Sequence, residues 1–117
     1  MIRMNTDIGM IAVDNAVYTN IAGYAATNCF GVKGMVVRSM TDGLVHLLRR
    51  EAMGKGVKVT FCENNQISID LHIMVDKGVN LSAIASSIIS EVRYFVTKST
   101  GTEVCAVNVF VDSITVD

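Results

Sequence analysis

Few side chains in this 117-residue chain have the type and spacing to do chemistry. His72 lies two residues after Asp70 and two before Met74, in a stretch where aliphatic residues alternate with polar ones. A carboxylate beside an imidazole on one strand face can orient the ring as a general base. No serine, cysteine or lysine is spaced to act as its nucleophile, and plain alternation on an outer strand face accounts for the pair. His46 stands beside Arg49 and Arg50 with no second ligand at metal spacing, which reads as a solvated face. The three cysteines, Cys29, Cys62 and Cys105, are widely separated and form no C-x-x-C pair. That pattern reads as reduced thiols packed as small hydrophobes. A zinc site built from Cys62, Cys105 and His72 would lack the usual two ligands from one close turn. The expected alternation also points Cys105 away from the side of Cys62. No catalytic residue, metal or cofactor, and no small-molecule substrate, is expected.

Two further motifs point to anions. Gly31-Val32-Lys33-Gly34 matches the GxxG loop with which KH domains clamp a nucleic-acid backbone. Such a loop joins two helices, whereas here Met35-Val36-Val37 continues directly as a strand. Gly31 as a helix stop and Gly34 as a point of close strand contact is the simpler reading. A KH-like nucleic-acid binder is retained as the alternative function. Arg49 and Arg50, with Lys55 and Lys58 downstream, could meet phosphate or anionic lipid, but Asp42 and Glu51 balance them. A net charge of −1 gives no global footprint for nucleic acid, which is disfavoured as a partner.

These residues are positioned by a short series of elements. Ile67, Ile69, Leu71, Ile73 and Val75 occupy one face of a strand, with Ser68, Asp70, His72 and Asp76 on the other. The period becomes helical from Leu81 to Ser99, with Asn80 or Ser82 as cap and Leu81, Ile84, Ile88, Val92 and Phe95 facing inward. It returns to two in a final strand carrying Cys105, Val107, Val109 and Val111, whose phase slips past Asp112-Ser113 as a bulge would require. Upstream, a strand from Ile8 to Val13 leads to a helix reaching about Asn28 with Val17, Ile21 and Ala25 inward. A strand from Val32 to Ser39 follows. Thr41 to Met53 is predicted as a short amphipathic helix with Leu44, Leu47 and Leu48 as its stripe. Val57 to Cys62 then pairs with Gln66 to Asp76 around Glu63-Asn64-Asn65.

The expected fold is α+β, one domain over residues 1–117. It has two layers, with a four- to five-stranded sheet and two long helices on one face, plus the short amphipathic helix. Two strand-helix-strand units are expected. The open sheet face would carry Lys58, Thr60, Cys62, Ser68, Asp70, His72, Met74, Asn108 and Phe110. That mixture suits a non-obligate interface, with Phe110 as anchor. No apolar run nears the ~20 residues of a membrane span, and no signal-peptide core is evident. A cytoplasmic protein is expected.

The succession GMIAVDNAV, IAGYAA, FGVKGM, GKGVKV, IDLHIMVDKGVNL and TGTEVCAVNVFVDSI resembles the alkaline shock protein family of envelope stress response proteins, and in particular its short members. The likeness runs from about Ile8 to Val116. It implies a non-enzymatic cytoplasmic bacterial protein with no catalytic residues to carry over. Some members are held at the membrane by a separate anchoring protein. Resemblance and residues together predict a self-associating protein interaction module, a homo-oligomer with a protein partner, which the resemblance implies is a membrane-anchored one. Lys58, Asp70, His72, Met74, Asn108 and Phe110 form its candidate surface. Three leucines bury only a few kcal/mol of apolar area, so direct membrane binding through Thr41 to Met53 is expected to be weak. Any peripheral position at the inner membrane face would then depend on the partner.

Overall fold

A computed structural model of the protein describes residues 2–38 and 43–115, with the side chains of Arg50 and Glu51 outside the description. In chain order the elements are β1 (Ile2–Thr6), β2 (Gly9–Val13), α1 (Asn15–Thr27), β3 (Val32–Arg38), β4 (Val45–Leu47), a 3₁₀ segment (Arg50–Gly56), β5 (Val57–Phe61), β6 (Ile67–Val75), α2 (Leu81–Thr100) and β7 (Val104–Ile114). The fold is α+β: a mixed five-stranded sheet, a separate two-stranded sheet and two helices.

β6 is the axis of the main sheet. Its alternation places Ile67, Ile69, Leu71, Ile73 and Val75 on the helix-covered face, all fully buried. β7 runs parallel along one edge of β6. The other edge is shared by two antiparallel strands: β3 pairs Met35 with Ile73 and Val32 with Val75, while β5 pairs Val57 with Leu71 and Phe61 with Ile67. β3 therefore leaves β6 where β5 joins it, and β3 continues by pairing with β4. The β5–β6 turn is tight because Asn64 and Asn65 both adopt positive φ, 60° and 58°. Asparagine tolerates that region, and it is the geometry that closes a hairpin without splaying its strands.

α2 begins where Asn80 Oδ1 accepts a hydrogen bond from the Ala83 amide at 3.0 Å, and it ends on Gly101 at φ 76°. Ile84, Ile88, Val92 and Val96 form its buried stripe. Phe95, expected inward, is instead half-exposed with Leu81 at the margin of that stripe. α1 is likewise rotated from expectation. Tyr18, Ala22, Ala25 and Ala26 are buried, while Val17 is exposed. A face of small residues lets α1 lie close to its neighbours: a Cβ on Gly23 would touch Met53 of the 3₁₀ segment. The longer Tyr18 reaches the base of α2, where its hydroxyl lies 2.7 Å from that of Thr102.

Two other expectations are corrected. Thr41 to Met53 is not an amphipathic helix. Thr41 and Asp42 lie outside the described residues, Val45–Leu47 is the strand β4, and a 3₁₀ helix begins at Arg50. The Leu48 amide donates to Met35 O at 2.8 Å, so this stretch satisfies its backbone against β3 rather than internally. The first strand-helix-strand unit is also absent from the main sheet. β2 pairs only with β1, a strand the sequence pattern did not reveal, in a hairpin docked through Ile2 and Met4.

Candidate interaction surface

The face of β6 turned away from the helices carries Ser68, Asp70, His72 and Met74, each partly exposed. Parallel pairing sets β7 beside them in register: Ser68 with Ala106, Asp70 with Asn108, and His72 with Phe110. The last two pairs are joined by side-chain chemistry as well as by register. Asn108 Nδ2 donates to Asp70 Oδ1 at 2.8 Å. The rings of His72 and Phe110 stack with centroids 4.8 Å apart and planes 12° from parallel. Phe110 nevertheless keeps 44% of its surface exposed. Lys58 lies across the other edge, in register with Asp70.

β7 carries two register shifts, at Cys105 and at Asp112, and the first exposes a side chain that the alternation of Val107, Val109 and Val111 would hide. Between Ile67 and Ser68 of β6 the partner moves from Val104 to Ala106, so Cys105 is the extra residue. Such a bulge turns it outward. Cys105 meets Cys62 from beyond the opposite edge of β6, and the two form a disulfide with Cα atoms 7.1 Å apart. The expectation of three reduced thiols, with Cys105 turned away from Cys62, is therefore corrected. Cys29 alone is a free thiol, and it is buried. Burial pushes its pKa up; a hydrogen bond with Ser87 opposes this and the charge of Glu91 adds to it.

The second shift lies between Ile73 and Met74, where the partner moves from Val111 to Ser113 and Asp112 becomes the extra residue. Its Oδ2 lies 2.9 Å from His72 Nδ1. The carboxylate that orients His72 is thus Asp112, not Asp70, whose carboxylate is engaged by Asn108. The slip after Asp112 was visible as a break in alternation, but its contact with His72 was not.

The remaining sequence motifs lie elsewhere. Gly31 has φ 89°, and a Cβ there would run into Ile84, while one on Gly34 would meet Leu47. The GxxG stretch thus joins a helix to a strand and is packed against the body, unlike a loop between two helices. His46 is in β4, opposite Val37. Among the described residues no group of three or more His, Cys, Asp or Glu side chains is placed to hold a metal, and no helix is long and apolar enough to cross a membrane.

The fold and this face define a small α+β domain with a mixed sheet left open on one side. The chain belongs to the alkaline shock protein family, described as having a cell envelope-related function, and the match covers residues 3–116. It is 36% identical over 116 residues to the uncharacterized protein YloU of Bacillus subtilis (strain 168), covering 98% of this chain and 96% of that protein. It is 33% identical to the uncharacterized protein Spy1614 of Streptococcus pyogenes serotype M6, covering 98% and 95% of the two chains. A solved MamM-CTD variant shares the fold at a TM-score of 0.50 and 18% identity, covering 86% of this chain and 98% of that one.

Proposed function

We propose that this chain is a non-enzymatic protein interaction module of the bacterial envelope stress class, working in the cytoplasm and self-associating through its open sheet face. The observation that carries this reading is the His72–Phe110 stack. It presents a rigid aromatic platform beside the polar pair Asp70–Asn108 and the cation Lys58. Aromatic anchors within a polar surround are the composition of non-obligate interfaces. A second copy is the favoured occupant because the face carries both signs of charge, Lys58 and Asp70. A two-fold contact can then set each against its opposite on the partner. Any place at the inner membrane surface depends on a further, membrane-anchored protein.

Sedimentation of the purified chain across a concentration series tests this. The expected result is a dimer or larger assembly whose dissociation constant rises on the order of tenfold or more with Phe110→Lys. A monomer at high concentration, unaffected by Phe110→Lys, would remove the reading.

A further inference from the structure

The fork in the main sheet leaves an opening. β3 hydrogen-bonds to β6 only as far as Met35–Ile73, and β5 takes over from Val57–Leu71. Between them, at the level of His72, lies a cavity of about 370 Å³ lined by the diverging end of β3 (Val36, Val37, Arg38), by Lys55 to Lys58, and by His72 and Asp112. Gly56, the last residue of the 3₁₀ segment, packs closely on β3, where a Cβ would crowd Met35 Cβ and Val36 O, each at 3.0 Å.

The charges around this opening do not cancel. Arg38, Lys55 and Lys58 contribute three positive charges and Asp112 one negative, leaving an excess of two with His72 neutral. The one carboxylate is already bound to His72 Nδ1 at 2.9 Å. Asp70, the cross-strand neighbour of Lys58, is outside the lining and accepts from Asn108; its charge leaves the surroundings with an excess of one positive charge. Neither Lys55 nor Lys58 forms an ion pair with a described residue. Arg38 donates through one guanidinium nitrogen to Gly43 O at 2.7 Å, which holds its side chain at the rim and leaves further N–H groups of its fork for a ligand. Cationic side chains that line one concave opening attract a compact, multiply charged anion better than the same charges scattered over a surface do.

We infer that the fork between β3 and β5 is a binding site for a phosphate-type anion, held by Arg38, Lys55 and Lys58 with His72 fixed beside them by Asp112. The site shares Lys58 and His72 with the face proposed for self-association but needs no second copy, and Phe110→Lys, which disrupts that face, leaves Arg38, Lys55 and Lys58 in place. A free phosphate compound or the headgroup of an anionic phospholipid would present the same chemistry.

Titration of the isotope-labelled protein with inorganic phosphate, followed by amide NMR, tests the site. Sodium chloride at matched ionic strength serves as control, and a parallel arm measures sedimentation with phosphatidylglycerol vesicles. The expected result is saturable shifts confined to Arg38, Lys55 to Lys58, His72 and Asp112, with affinity falling on the order of fivefold in the double variant Lys55→Gln/Lys58→Gln. Lys98→Gln, which removes one charge from α2 far along the chain, should leave the affinity unchanged. Vesicle sedimentation that is lost in the double variant but kept in Lys98→Gln would identify a lipid headgroup as the source, and shifts with phosphate but no sedimentation a soluble one. Equal shifts from sodium chloride, equal weakening by Lys98→Gln, or no response in either arm would overturn the inference.

Discussion

Asp112 is the extra residue of β7 between Val111 and Ser113, and its Oδ2 lies 2.9 Å from Nδ1 of the His72 imidazole. An ionised carboxylate only accepts hydrogen bonds, so the neutral ring must carry its proton on Nδ1. Side-chain nitrogen NMR should find neutral His72 mainly in that tautomer. Asp112→Ala should return the ring to the distribution of a free histidine at a cost of about 0.5–1.5 kcal/mol in stability. An unchanged tautomer in Asp112→Ala would show that another group holds the ring.

Ile88 tests the packing of α2 across β6. Its side chain is fully buried in the helix stripe, between Ile84 and Val92. Ile88→Ala should cost about 2–5 kcal/mol in a denaturant melt, because the cavity left behind cannot fully collapse. A loss under about 0.5 kcal/mol would place the helix in another rotation.

Gly31 joins α1 to β3 with φ 89°, and its missing side chain leaves room for Ile84. Gly31→Ala should destabilise the protein by about 1–3 kcal/mol through the left-handed backbone and the shift forced on Ile84. Gly43→Ala is the control: it has positive φ, 70°, but open space around a Cβ. It should therefore cost less than Gly31→Ala. Thermal unfolding of both variants gives the comparison.

The disulfide between Cys62 and Cys105 closes a loop with a sequence separation of 43. Chain-entropy arguments give such a link as much as about 4 kcal/mol. Adding a thiol reductant, or replacing Cys62 with serine, should lower the unfolding midpoint under oxidising conditions. Peptide mass mapping without reductant should recover the Cys62–Cys105 pair and leave Cys29 unpaired.

Cys29 should resist alkylation in the native protein. It is buried, its Sγ donates to Ala25 O at 3.4 Å, and burial favours the protonated thiol. Iodoacetamide near neutral pH should modify it only after unfolding. Because its folded pKa is raised, its contribution to stability is full below the ordinary thiol range. That contribution is lost as pH climbs through the folded value. Fast native alkylation of Cys29 would show that α1 opens locally.

The amino-acid sequence by itself determined what depends on near neighbours. The period-two run from Ile67 to Val75 put one row of side chains in the core and Ser68, Asp70, His72 and Met74 outside, because successive residues of a strand face opposite sides wherever the strand lies. A cap at Asn80 or Ser82 and a turn at Asn64-Asn65 were legible for the same reason: their chemistry acts within a few residues. Only the tertiary structure decided what depends on pairing between distant segments. Thr41 to Met53 carried a helical spacing of leucines, yet the edge of β3 drew Val45–Leu47 into a strand, since intersegment hydrogen bonds override local propensity. The bulges at Cys105 and Asp112 arise where β7 meets β6, and they choose the partners of Cys62 and His72. The fork that gathers Arg38, Lys55, Lys58 and His72 exists only because two strands divide one edge of β6. No local window of sequence contains that division.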